Sequence, residues 1–144
     1  MGVPRSGGLR AYFAAARRAL RKDGILLLDA YGGAAAQRTS RERTKYRDFT
    51  FHWHQADFDP ISADYTCHID FSFPDGSRLP RSFSYHWRLW TLPEIRELLA
   101  EAGFSRSAVL MQAWTPDGDP DDEFREVTRG DPDEAWIAYV IAER

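Results

Sequence analysis

A chain of 144 residues is the length of one domain, and 14% aromatic residues supply bulk for a sizeable core. A formal net charge of −3 and a pI near 5.8 leave no basic footprint for nucleic acid or an anionic membrane. The lone cysteine, Cys67, excludes an internal disulfide and fits a reducing, cytoplasmic compartment, and no apolar run approaches the roughly 20 residues of a membrane span.

In chain order, residues 1–8 (MGVPRSGG) read as a flexible leader without the apolar stretch of a signal peptide. Leu9 to Arg21 predicts a helix: Leu9, Phe13, Ala16 and Leu20 share one face, arginines fill the rest, and Asp23-Gly24 stops it. Ile25 to Ala30 predicts a strand. Ile25, Leu26, Leu27 and Leu28 run without alternation, the pattern of a central parallel strand buried on both faces. In open α/β sheets ligands sit beyond the carboxyl ends of strands, which makes Asp29, Tyr31, Gly32 and Gly33 the first candidates for chemistry.

Ala34 to Asp48 is polar and basic and reads as a solvated connection, the functional alternative being a mobile segment over the ligand site. Three strands follow within 49–89. Phe49, Phe51 and Trp53, then Tyr65 to Phe73, then Phe83 to Leu89 all hold apolar residues at odd positions, which predicts an antiparallel sheet with one covered face. Pro74-Asp75-Gly76-Ser77 is a turn. A two-residue loop there would pair odd with even positions, so a longer turn, Asp75 to Ser77, is expected, with Ile69 opposite Phe83. Thr91 and Glu94 form a capping box at the start of a second helix whose buried face is Ile95, Leu98, Leu99 and Ala102, ending at Gly103. Ser105 to Trp114 reads as a strand, Thr115 to Glu134 as a long acidic loop with one turn near Phe124, and Trp136 to Ala142 as the last strand.

All four histidines, His52, His54, His68 and His86, fall on the polar face of the small sheet beside Asp70. The expected register sets His54 opposite His68 and His52 opposite Asp70. The spacing matches no recognised zinc motif, so no metal site is assigned; His52 and His86 are instead acid–base candidates, because imidazole titrates near neutral pH. Asp117, Asp119, Asp121 and Asp122 lack the glycine and bidentate glutamate of a calcium loop. Cys67, on the apolar side of its strand, reads as a core residue. Gly32-Gly33 is neither a G-x-G-x-x-G nor a Walker loop.

The run ALRKDGILLLDAYGG, the stretch YHWRLWTLPEIRELLAEAGF and the closing WIAYVIAE together resemble the C-terminal half of a class I S-adenosylmethionine-dependent methyltransferase. That resemblance implies an α/β, partial Rossmann-like fold: strand five at Ile25 to Ala30, the next helix at Leu92 to Ala102, and the last two strands at Ser105 to Trp114 and Trp136 to Ala142, one of them antiparallel to the rest. Residues 9–144 would then be a single domain carrying an inserted three-stranded antiparallel sheet at 49–89 as a lid or substrate element. It implies S-adenosylmethionine as cofactor, yet the glycine-rich loop and the acidic residue that hold it in that family have no counterpart here, so no cofactor-binding residue is assigned. What carries over is the substrate side: Asp29, Tyr31 and Gly32 near the transferred methyl, with Tyr85, Trp87 and Arg88 as lid residues toward a small-molecule acceptor. A half of this kind leaves strand five with an open edge, which implies a longer protein, a homodimer, a partner carrying the missing half, or repacking. The competing reading is a non-catalytic α+β ligand-binding or assembly module. Parallel pairing and two-sided burial of Ile25 to Leu28 would favour the methyltransferase; an edge position in an antiparallel sheet would favour the module.

Overall fold

The computed structural model describes residues 6–114 and 120–144, which form two compact units. One runs from the first helix to Ala34 and resumes over Trp90–Arg144; the other is Ala35–Leu89. Of the proposed leader, residues 1–5 lie outside the described residues, and Ser6 already belongs to a helix.

The first unit layers two helices on one face of a sheet. Helix α1 (Ser6–Ala19) brings Phe13 to the core, and α2 (Leu92–Glu101) brings Ile95, Leu98 and Leu99. The predicted capping box is present: Thr91 Oγ1 accepts from the Glu94 amide at 3.3 Å, and Glu94 Oε2 accepts from the Thr91 amide at 2.9 Å. At the other end Gly103 takes φ +90°, and the amides of Gly103 and Phe104 return to the carbonyls of Ala100 and Leu99. That is a Schellman closure, and it requires the left-handed residue the sequence supplies.

The sheet of this unit is built from β1 (Ile25–Gly32), β6 (Arg106–Trp114), β7 (Pro120–Val127) and β8 (Trp136–Glu143), and the four strands between β1 and β6, β2 (Ser40–Lys45), β3 (Thr50–Phe58), β4 (Asp64–Ser72) and β5 (Arg78–Arg88), belong to the other unit. Its order is β1-β8-β6-β7, and every adjacent pair is antiparallel. Leu26, Leu28 and Ala30 of β1, Val109 of β6, and Ala138, Val140 and Ala142 of β8 meet the helices. The opposite face carries Ile25, Leu27 and Ile137, which are 54%, 57% and 54% exposed. The expectation of a parallel β1 buried on both faces is therefore corrected. Among the described residues β1 is an edge strand, paired with β8 alone, and half of its apolar side chains face water. The unbroken Ile-Leu-Leu-Leu run misled because it encodes what such a strand can bury, not what this chain provides to bury it.

The acidic stretch also holds more order than expected. Pro120–Val127 is the strand β7, paired with β6 through Val109↔Val127 and Gln112↔Phe124. Its charges hide the strand from a periodicity reading, since an edge strand has no need of strict apolar alternation. Asp117 and Asp119 lie outside the described residues; Asp121 accepts from the Glu123 amide at 2.9 Å.

The second unit is a four-stranded antiparallel sheet in the order β2 (Ser40–Lys45), β3 (Thr50–Phe58), β4 (Asp64–Ser72), β5 (Arg78–Arg88). The expected sheet of three strands gains β2, the segment read as a solvated connection. Its sequence, Ser-Arg-Glu-Arg-Thr-Lys, is that of a charged edge. A single 3₁₀ turn, Ala34–Gln37, leads into it and is pinned by Gln55, which is 1% exposed and donates from Nε2 to the carbonyls of Ala36 and Arg38 at 2.6 and 2.7 Å.

The predicted pairs Ile69↔Phe83, His54↔His68 and His52↔Asp70 are all present. The first arises by a different route. The hairpin closes at Ser72↔Arg78 around Phe73 to Ser77, and the register then slips by two residues where Pro80, Arg81 and Ser82 bulge opposite Asp70. The Arg81 amide donates to Asp70 Oδ1 at 2.6 Å and Arg81 takes φ +47°. A slip of two preserves the faces, whereas a slip of one would have inverted them.

Candidate functional site

Asp29 and Tyr31 stand at the carboxyl end of β1 on the open face, opposite Tyr139 and Ile137 respectively. Asp29 is exposed and Tyr31 half-buried. Phe124 packs edge-on against Tyr139 at 4.7 Å, so the carboxylate of Asp29 borders an aromatic patch. Gly32 points the other way. A Cβ on Gly32 would lie 2.3 Å from Cζ2 of Trp136, and one on Gly33, at φ +104°, would lie 2.3 Å from the Glu134 carbonyl oxygen. The glycine pair is thus filled by the chain itself. It leaves no cradle there for a phosphate or an adenosyl group.

Trp136 also walls a cleft of about 620 Å³ on the helix-covered side. Val109, Met111 and Val127 line it together with Arg96, Glu97, Arg129 and Asp131. Arg96 Nε donates to Ser107 Oγ at 3.2 Å. A lining that mixes apolar side chains with both signs of charge suits a polar small molecule with an apolar body. The sequence reading missed this cleft, because its residues come from a helix, three strands and the segment after β7, and no local spacing joins them.

The remaining predicted residues belong to the second unit, where strand alternation divides them. Tyr85 and Trp87 share the apolar face with Tyr65: ring centroids are 4.5 Å apart for Tyr85–Trp87 and 5.8 Å for Tyr65–Trp87. Arg88 and His86 lie on the opposite face, as do His52, His54 and His68. His86 Nδ1 shares a hydrogen bond with Thr66 Oγ1 at 3.1 Å, His52 Nε2 with Ser72 Oγ at 2.8 Å, and His68 Nδ1 with Ser84 Oγ at 2.8 Å. The pKa of His54 is lowered by partial burial, with Arg41, His68 and Arg81 adding to the shift and Asp70 opposing it. Among the described residues no group of three or more His, Cys, Asp or Glu side chains converges as a metal site, and no helix is long and apolar enough to cross a membrane.

No protein-family model matches the chain, and no curated protein does. Solved structures do. The chain is similar to a S-adenosylmethionine-dependent methyltransferase from Clostridium acetobutylicum ATCC 824, at 14% identity and a TM-score of 0.55, covering 94% of this chain and 51% of that one. It is similar to the CcbJ methyltransferase from Streptomyces caelestis at 12% identity and a TM-score of 0.60, covering 96% of this chain and 51% of that one. The chain has the fold of part of a methyltransferase. At such identities the likeness is one of fold, and the chain spans about half the length of the methyltransferases it matches. In this partial methyltransferase fold, Asp29 and Tyr31 are brought together, Tyr85 and Trp87 are brought together, and Gly32 has a packing role under Trp136.

Proposed function

We propose that this chain is the substrate-side half of a S-adenosylmethionine-dependent methyltransferase acting on a small-molecule acceptor, and that it is inactive alone. The likeness in fold to two methyltransferases over nearly all of this chain, but only 51% of theirs, carries the reading. The pairing of β8 antiparallel to both β1 and β6 is the arrangement expected if β1 is strand five and β6 and β8 are the last two strands.

In this reading S-adenosylmethionine supplies the methyl group and is held by the complementing half. The residues of this chain bind the acceptor. Asp29, with its carboxylate exposed at the end of β1, accepts a hydrogen bond from the acceptor's N–H or O–H, and Tyr31 lines the same face. Gly32 keeps that strand end in place by admitting Trp136. In the other unit, taken by itself, Tyr85 and Trp87 form an aromatic surface, and Arg88, His52 and His86 lie on the opposite face of that sheet. Methyl transfer needs in-line approach, so orientation of the acceptor is where Asp29 and Tyr31 contribute to rate.

Calorimetric titration with S-adenosylhomocysteine tests this. The chain alone gives no heat of binding, and the chain fused to the part of CcbJ that it does not match binds with micromolar affinity. Micromolar binding by the chain alone refutes the assignment of the cofactor to another half.

One observation favours the second reading, a non-catalytic α+β ligand-binding or assembly module: β1 is an edge strand in an all-antiparallel sheet. Under that reading small molecules bind the chain with no dependence on the cofactor, and the fusion gains nothing.

A further inference from the structure

We propose that the cleft between α2 and the β6–β7 end of the sheet is a second small-molecule site, and that it takes a zwitterion with an apolar body: an apolar amino acid or a short apolar peptide. It is separate from the acceptor site. Asp29 and Tyr31 stand on the open face of the sheet, whereas Val109 of the cleft belongs to the face that meets the helices.

The cleft holds about 620 Å³, and small-molecule sites run from roughly 300 to 1,000 Å³. Burial sorts its lining by chemistry. Val109 is buried and Met111, Val127 and Trp136 are half-buried, while Arg96, Glu97, Arg129 and Asp131 are all exposed. The sheltered part of the lining is apolar, and the part open to water carries both signs of charge. Gly130 sets the segment after β7 close against β6, since a Cβ there would lie 2.7 Å from Met111 Sδ.

The charges decide the class of ligand. Elsewhere in this unit arginines are matched by carboxylates: Arg10 by Glu101 at 2.6 Å, Arg106 by Glu126 and Glu143 at 2.6 and 2.7 Å, and Arg125 by Glu123 at 2.7 Å. Among the described residues none of Arg96, Glu97, Arg129 and Asp131 has an ion-pair partner. Arg96 is also oriented. Its Nε donates to Ser107 Oγ at 3.2 Å, and among the described residues its two Nη groups have no partner. A guanidinium held in this way offers a planar fork to a carboxylate, which it binds through two parallel hydrogen bonds. Glu97 and Asp131 have the complementary preference for an ammonium group. A simple organic anion would suit the arginines but meet two like charges, and a simple amine would do the reverse. A zwitterion suits both pairs, and its apolar body gains cover from Met111, Val127 and Trp136.

Calorimetric titration of the full chain with L-phenylalanine and with the dipeptide leucyl-phenylalanine tests the site. At least one of them binds saturably, with a Kd of about 1 mM or below. Phenylacetate, which keeps only the carboxylate, and phenethylamine, which keeps only the ammonium group, each bind at least about tenfold more weakly. Arg96→Gln weakens binding of the zwitterion by at least about tenfold. Ala100→Trp, which adds bulk at an exposed position of the lining, abolishes it. Both variants keep the parent's circular-dichroism spectrum, because both positions are exposed on α2; if either unfolds, Arg129→Gln replaces it, with the same loss expected. Saturable binding by neither zwitterion overturns the site. Phenylacetate or phenethylamine binding as tightly as the zwitterion overturns the ligand class. Undiminished binding in a folded lining variant places the ligand elsewhere and overturns the proposal.

Discussion

Cys67 is fully buried between Gln55 and Tyr85 on the neighbouring strands, and burial pushes its thiol up to about 11. A thiol held protonated and out of water is a poor nucleophile. The native chain at pH 8 should therefore resist a disulfide reagent and react once denatured; rapid stoichiometric labelling without denaturant would contradict the burial. His54 gives a test of opposite exposure. Its folded pKa lies below the 6.5 of a free imidazole, because partial burial, the Arg41 guanidinium, the neighbouring His68 and the Arg81 guanidinium disfavour the charged ring, against Asp70. The unfolded chain therefore takes up this proton first as pH falls below about 6.5, and stability contributed by the neutral ring declines with it. His54→Gln should flatten the fall in melting temperature across that window, and an unchanged slope would show that the ring is not the responsible group. Gly32 is a matter of space alone. Gly32→Ala sets a methyl 2.3 Å from Trp136, and displacing the indole should cost on the order of 1–3 kcal/mol in urea denaturation.

Helix α2 was legible nearly residue by residue, because its signals are local: Thr91 and Glu94 at the start, Gly103 at the end, and one apolar face between. Thr91→Ala removes the hydroxyl half of the box and should cost about 1 kcal/mol, whereas Leu99→Ala, at a side chain 1% exposed in the core, should cost about 2–5 kcal/mol; equilibrium denaturation separates the two. The strands divide along the same line. β3, β4, β5, β6 and β8 announced themselves by their apolar residues, although the covered face expected for the small sheet is not met in β5, where Leu79, Phe83 and Trp87 stay exposed. β2 and β7 did not, because an edge strand is selected for charges that stop further pairing, and those charges read as loop. β1 failed in the reverse direction, an undefended apolar run read as central and found at an edge. The site residues show the same limit. That Asp29 and Tyr31 share a face, and that Arg88 faces away from Trp87, follow from strand alternation. The cleft under Trp136 did not follow, since it is assembled from four separate segments.

At the scale of the whole molecule the two units are unequal in what they bury. The helical unit contributes Phe13, Ile95, Leu98, Leu99, Phe104, Val109 and Val140 to a single core. The described residues of the sheet unit bury only Ala36, Tyr65, Cys67 and the polar Gln55, while Leu79, Phe83 and Trp87 remain 54%, 52% and 42% exposed. A segment of this size starts with little surface to hide, and four buried residues fall far below what offsets the entropy of ordering it. Residues 35–89 expressed alone should accordingly show the far-ultraviolet spectrum of an unfolded chain and no cooperative melt. In the whole chain the same imbalance should appear as a gradient, with amides of β3 and β4 exchanging well before those of β8, which lies between two strands over the core. A cooperative melt of the excised sheet, or equal protection of the two sheets, would mean that the second unit draws stability from packing on its own faces, and that its exposed aromatic side is fully formed before any ligand or partner reaches it.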